Sequence, residues 1–316
     1  NQLNLMISHT ESTDLLDANT KSYYLGEAYG LRAYVYFHLL RSWGDVVLQL
    51  DYTNGNSIDI GNPSKAASSA ADVMTQIKKD IQSSEDAFGD DYSFKYGKCY
   101  WSKAATMMLK GEVYLWSGKQ MNGGESDYTT AKNALMAVKT AGVGLLNDFK
   151  KVFAYDNKEN DEIIFAIHNG RNEYSLWNDQ YRSTMVMNQA NFGTYYDENG
   201  ALLNETEMAD MSGLIRYQVE QDLYTQLFRE GDTRKSISIK GIYNKDNTSG
   251  TLSFNSPIAY KFQGVLLDGD AQRSWLDDYP IYRYADCLLA LATANFAELY
   301  TALSFFSALS LFRIDF

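Results

Sequence analysis

The stretch RNEYSLWNDQYRS, Arg171 to Ser183, mixes aromatic rings with amides, carboxylates and guanidinium groups. That mixture suits a sugar, whose C–H faces stack on Trp and Tyr rings while its hydroxyls seek Asn, Asp, Gln and Arg. Within it Tyr174, Trp177, Asn178, Tyr181 and Arg182 are the candidate binding residues. Phe192, Tyr195 and Tyr196 follow in another loop, Trp275 stands further on, and Tyr52 with Asn54 forms a weaker cluster nearer the N-terminus. The alternative for each aromatic is a ring tucked onto the scaffold.

Catalytic groups show no comparable pattern. A glycosidase needs two carboxylates about 5–10 Å apart in a cleft, and 40 acidic residues supply such pairs by chance. His9, His38 and His168 lack metal-ligand spacing. No glycine-rich phosphate loop or nucleophile elbow occurs, and no cofactor is expected. The run DNKENDE, Asp156 to Glu162, lacks the glycine and terminal glutamate of a calcium loop and reads as acidic surface.

The elements that must hold these loops are helical. Between Ser22 and Trp43, apolar residues recur at helical spacing: Leu25, Ala28, Tyr29, Ala33, Tyr36, Phe37, Leu40 and Trp43. Gly44 ends the run. Similar patterns predict helices over about 70–88, 100–117, 127–140 and 282–300. Small residues facing aromatics in helices of similar length mark tetratricopeptide-like pairs, whose apolar faces need neighbours. The aromatics of these helices are expected in the core. Between 147 and 278 the texture changes to Asn, Tyr and Gly, with a strand-like run at 162–167, a helix at 217–228 and weak alternation at 235–260. The reading is one all-α domain over 1–316, a helical-repeat scaffold with a loop-rich insertion carrying little β. Its parts are 21–146 (helical repeats), 147–278 (the insertion and expected ligand face) and 279–316 (C-terminal helix).

Bulk properties narrow the partners. A net charge of −12 opposes nucleic acid and anionic lipid, which are bound through Lys and Arg. Cys99 and Cys287 lie far apart in helical patterns and read as two unpaired buried thiols. No uninterrupted apolar run of about 18 residues is present, and no signal peptide is visible in the polar opening at 1–20.

Several motifs together carry a family resemblance. They are Ala28, Leu31-Arg32-Ala33, Tyr36-Phe37 and Trp43-Gly44-Asp45, then Ile77, Asp80 and Ile81, then SKAATMMLKGEVYLWSGK from Ser102 to Lys119. Glu230 to Arg234 follows, with Tyr279-Pro280, Arg283-Tyr284-Ala285, Leu288-Leu289 and Ala292 to Asn295 at the far end. The combination resembles the SusD/RagB family of surface glycan-binding lipoproteins of Gram-negative outer membranes. Val47 stands where the family usually has proline, and Asp286 and Thr293 replace family acids. The family's lipidated cysteine and first helices have no recognisable counterpart, nor does the helix that follows Asn295, so the chain reads as truncated or altered at both ends.

The resemblance implies non-enzymatic glycan binding at the outer face of the outer membrane. It further implies delivery to a SusC-like TonB-dependent transporter, with membrane attachment only through a lipid anchor. The alternatives are a peptide-binding RagB-like protein and a repeat scaffold for a protein partner.

Overall fold

The computed structural model describes residues 1–53, 64–173 and 181–311, with only the backbone described from residue 300 onward. In chain order the helices are α1 (Gln2–Ser12), α2 (Ala18–Trp43), α3 (Ala70–Phe88), α4 (Lys103–Gln120), α5 (Gly124–Ala137), α6 (Phe149–Val152), α7 (Gln189–Phe192), α8 (Gln221–Gln226), α9 (Lys235–Ser238) and α10 (Tyr284–Leu311). The strands are β1 (Ile163–Ile167), β2 (Ile239–Lys245), β3 (Leu252–Ala259) and β4 (Tyr279–Arg283). The chain divides into two units: Asn1–Leu145 with Asp161–Phe165 and the chain from Ile281, and Leu146–Asn160 with Ala166–Pro280.

The first unit is a stack of long helices in the tetratricopeptide manner, its boundaries written in cap residues. Asp17 accepts the Thr20 N–H at the start of α2, and Gly44 closes that helix at φ 72°, a left-handed angle that favours glycine. Ser69 accepts the Asp72 N–H while its hydroxyl donates to the Asp72 carboxylate, so α3 begins on a reciprocal cap. Close helix crossings follow from glycine. A Cβ at Gly30 would lie 2.0 Å from the Trp101 indole nitrogen, and one at Gly111 would lie 2.5 Å from Leu135. Phe37, Ile77, Ile81, Trp101, Leu109 and Leu135 fill the core.

Most polar groups inside that core are paired, although the buried Tyr23 hydroxyl has no hydrogen-bond partner among the described residues. The Ser84 hydroxyl donates to the Gly26 carbonyl at 2.6 Å, and the Trp101 indole N–H donates to the Thr106 hydroxyl at 2.8 Å. Cys287 is buried, its thiol 3.3 Å from the Leu135 carbonyl, whereas Cys99 is half-buried rather than buried as expected; neither forms a disulfide.

Two expectations for this unit need correction. The α2 stripe is buried only as far as Leu40; Trp43, at the last helical position, is 70% exposed. The acidic run ends inside the protein rather than on its surface: Glu162 is buried and takes the Arg283 guanidinium at 3.0 Å, while its carbonyl accepts the Tyr284 N–H.

The second unit has short elements and long connections. β2 and β3 form an antiparallel hairpin in which Ile239 faces Ala259, with a register slip between Ile242 and Tyr243. Its turn closes on Asp246, whose carboxylate accepts the Thr248 and Ser249 N–H groups. The weak alternation at 235–260 is thus a genuine hairpin. The helix expected over 217–228 shrinks to α8, Gln221–Gln226, which buries no residue and gains little tertiary support. β1 pairs with β4 in a separate two-stranded sheet.

Candidate functional site

In the second unit, segment 182–187 is laced to segment 213–217. The Gly213 N–H donates to the Met187 carbonyl, Ile215 to Val186, and both Arg216 and Tyr217 to Thr184, at 2.8–3.0 Å. Only glycine fits at 213, since a Cβ there would sit 2.2 Å from the Val186 carbonyl oxygen. Ile215 adopts φ 34°, a region that β-branched residues avoid. Strain of this kind concentrates where side chains must be aimed. Here the next two side chains are Arg216 and Tyr217, both exposed.

The facing wall comes from the turn after α7. Asn188 caps α7 by accepting the Ala190 N–H, and the Asn191 carbonyl accepts from Thr194 and Tyr195. The Tyr195 carbonyl in turn accepts the Leu203 N–H, so its backbone is held on both sides. With Asn255, Ser256 and Ile258 of β3 and Ile242 of β2, these segments enclose a cleft of about 300 Å³. Its wall offers Tyr195, Tyr217, Asn191, Asn255, Gln218, Ser256 and Arg216 over an apolar base of Met187, Ile215, Ile242 and Ile258. No carboxylate lines it among the described residues. Among those residues the Arg216 guanidinium also has no hydrogen-bonding or ionic partner. Such a wall can stack on a ring and exchange hydrogen bonds with hydroxyls.

The sequence candidates scatter around this cleft. Tyr195 lines it. Tyr196, its neighbour, exchanges both backbone hydrogen bonds with Tyr243 at 2.9 Å and carries Lys245 over its ring at 5.1 Å. Arg182 lies in a separate shallow cleft with Arg171 and Arg273, and its Nε donates to the Ser212 carbonyl at 2.9 Å.

Three candidates are core residues instead. Tyr181, Phe192 and Trp275 are 5%, 3% and 0% exposed. Tyr181 meets Phe262 edge-on at 5.4 Å, and the Trp275 indole N–H donates to the Phe262 carbonyl at 3.1 Å. Rings so enclosed have no face to lend a sugar, and burial raises the Tyr181 phenol well above its usual range. Tyr52 belongs to the first unit, where it packs edge-on to His9 at 6.2 Å. Asn54, Tyr174, Trp177 and Asn178 lie outside the described residues.

Sequence reasoning missed Asn191, Arg216, Tyr217, Gln218 and Asn255. Tyr217 was hidden inside the expected helix, although the polar run Arg216-Tyr217-Gln218 offers that helix no apolar face.

No family model matches the chain. NanU of B. fragilis and a SusD superfamily protein of Bacteroides vulgatus share its structure, both with TM-score 0.88, at 56% and 55% identity. Each similarity covers 94% of this chain, and 59% and 60% of those proteins. A SusD-like protein of Bacteroides ovatus is 27% identical over 217 residues, 66% of this chain and 38% of its own length. A laminarin-binding SusD-like protein, 21% identical with TM-score 0.68 over 93% of this chain and 64% of its own, shares the fold. The chain thus spans 59%, 60% and 38% of the length of the first three.

Proposed function

The chain is a member of the SusD/RagB family, and from that premise we propose that it binds a glycan at the bacterial cell surface without cleaving it. The proposed site is the cleft between Tyr195 and Tyr217. One observation carries the reading: the wall combines two tyrosines with amide, hydroxyl and guanidinium groups and, among the described residues, has no carboxylate. Sugars need the first combination, and sugar hydrolysis needs the missing one. A laminarin-binding protein of the same fold supports the ligand class.

The proposed partner is a SusC-like TonB-dependent transporter and the proposed location the outer face of the outer membrane, both carried by family membership. No helix among the described residues is long and apolar enough to cross a membrane; the lipid anchor in this reading is carried by family membership alone. Tyr174, Trp177 and Asn178 remain in the proposal as further contacts, and Tyr52 with Asn54 as a separate, weaker cluster of the first unit.

A glycan array followed by calorimetric titration of each hit tests this. Tyr195→Ala and Tyr217→Ala are each expected to weaken binding about 2- to 10-fold, the range of one aromatic contact. Trp177→Ala in the same titration tests the further contacts. An array on which no glycan binds, or on which peptides are captured instead, overturns the reading. Sugar cleavage by the purified protein overturns its non-catalytic part.

A further inference from the structure

Away from that cleft, the second unit encloses a cavity of about 350 Å³ between the α6 region and segment 261–265, with Asp277 in its wall. Asp277 is 2% exposed, and among the described residues its carboxylate accepts one hydrogen bond, from the Gly264 N–H at 3.2 Å. Gly264 sits at φ 64°, and a Cβ there would lie 2.7 Å from the Ser274 carbonyl oxygen, so this contact requires glycine. The nearby ammonium of Lys158 is committed elsewhere. It donates to the Asp278 carboxylate at 2.7 Å and to the Asn169 carbonyl at 2.6 Å. Asp278 also takes the Asn169 N–H at 3.0 Å.

A buried carboxylate with one hydrogen bond and no ion pair is a costly group to keep. Burial pushes its pKa up to about 6, and the backbone N–H groups of Asp277 and Gly264 and the charge of Lys158 offset only part of that cost, so it is charged at neutral pH at a net penalty. Scaffold needs do not account for it, because Asp278 already ties this region together. A perturbed, under-used acid in a cavity wall is the mark of a ligand contact.

The remaining wall specifies what that ligand is. Tyr155 offers a half-buried ring, and Lys150, Lys151 and Gln263 offer donors. The lysines are incompletely neutralised by exposed partners, Glu207 at 3.6 Å and Asp156 at 3.4 Å. A free amine or metal ion would meet these lysines, and an isolated anion would meet Asp277. A polyhydroxyl ring meets neither objection: its O–H groups donate to Asp277, its oxygens accept from lysine, and its C–H face lies on Tyr155.

We infer that this cavity is a second sugar subsite, in which the Asp277 carboxylate reads adjacent hydroxyls of one sugar residue. The inference rests on the glycan-binding reading but uses none of the residues of the Tyr195–Tyr217 cleft.

The test is calorimetric titration of the whole chain with short oligosaccharides, using a panel of plant and host structures. Three proteins are compared: the parent, Asp277→Asn, and the double variant Tyr195→Ala/Tyr217→Ala. Asn keeps the shape and the acceptor for Gly264, and an unchanged or higher Tm verifies its fold. Lys151→Ala, on the exposed rim, serves as a second probe. Asp277→Asn is expected to lose about tenfold or more in affinity at one class of site, the scale of a hydrogen bond to a charged group. The double variant should retain that class. If Asp277→Asn and Lys151→Ala both bind as the parent does while the double variant is weakened, the second subsite is overturned and the first reading stands. If the double variant is unaffected while Asp277→Asn is impaired, the Tyr195–Tyr217 cleft falls and the second subsite stands. No binding by the parent to any member of the panel overturns both.

Discussion

Arg32 on α2 and Asp80 on α3 form a two-pronged ion pair, Nε to Oδ2 at 2.7 Å and Nη2 to Oδ1 at 2.8 Å, with side chains only 10% and 2% exposed. Gln76 donates a further hydrogen bond to Asp80, and Arg32 donates to Asn4 of α1, so the pair ties three helices. Cutting one side leaves a buried charge alone. Asp80→Asn and Arg32→Met are each expected to cost about 3–5 kcal/mol, read as a lower urea midpoint for the first unit. Replacing both partners with apolar residues should recover most of that loss, because the pair's attraction largely offsets its own desolvation. A double variant no more stable than either single would contradict this account.

The helix crossings give a prediction of opposite kind. Gly30→Ala places a methyl against the Trp101 indole and Gly111→Ala one against Leu135, where the would-be Cβ contacts are 2.0 and 2.5 Å. Overpacking of this sort costs about 1–3 kcal/mol. Gly144, which has open space around its Cβ position and no left-handed angle, is the control. Gly144→Ala should be neutral or gain about 0.5 kcal/mol through the unfolded chain. Thermal unfolding of the three variants separates crowding from loss of glycine as such.

Glu27 of α2 makes the first unit pH-sensitive. It is 7% exposed, and burial pushes its carboxyl from 4.5 up to about 7. The folded chain therefore holds a proton that the unfolded chain releases near 4.5. This contribution is fully present below pH 4.5 and is lost as pH rises through 7. Its size is on the order of 3 kcal/mol. Urea midpoints measured from pH 4.5 to 8 should fall with pH, and Glu27→Gln should flatten that slope while stabilising the protein at pH 8. An unchanged slope in the variant would assign the dependence to other groups.

What was legible in the sequence was set locally. The span 70–88 emerged intact because Ser69, Asp72 and the Ile77–Ile81 face all lie within one stretch of chain, and Gly44 ended α2 where its left-handed angle requires. The Arg32 and Asp80 positions were visible as motif residues, though not their contact. The site was harder to read, because whether a loop ring is buried depends on segments far away in sequence. Trp275 and Tyr181 are core because Phe262 lies against both, and no spacing rule announces that. Tyr217 failed in the opposite sense: periodicity assigned it to a helix, and only the hydrogen bonds to Thr184 turn it into a cleft wall.

Ile215 links stability to binding in that cleft. Its φ of 34° is unfavourable for a β-branched residue, and such strain costs about 1–3 kcal/mol. Glycine adopts that angle freely, so Ile215→Gly should relieve part of the strain; loss of the Ile side chain from the cleft base and the greater freedom of the unfolded chain act against the gain. The net change in unfolding midpoint is therefore expected to be small. Binding should respond more strongly, because Arg216 and Tyr217 follow directly and would lose the rigid turn that aims them. Glycan titration should show a severalfold weaker complex from a protein with nearly unchanged Tm. Ile215→Val, which keeps the branched side chain and the strain, should bind nearly as the parent does. A glycine variant that binds equally well would mean that the angle at Ile215 serves the fold of the 213–217 turn and not the aim of its side chains.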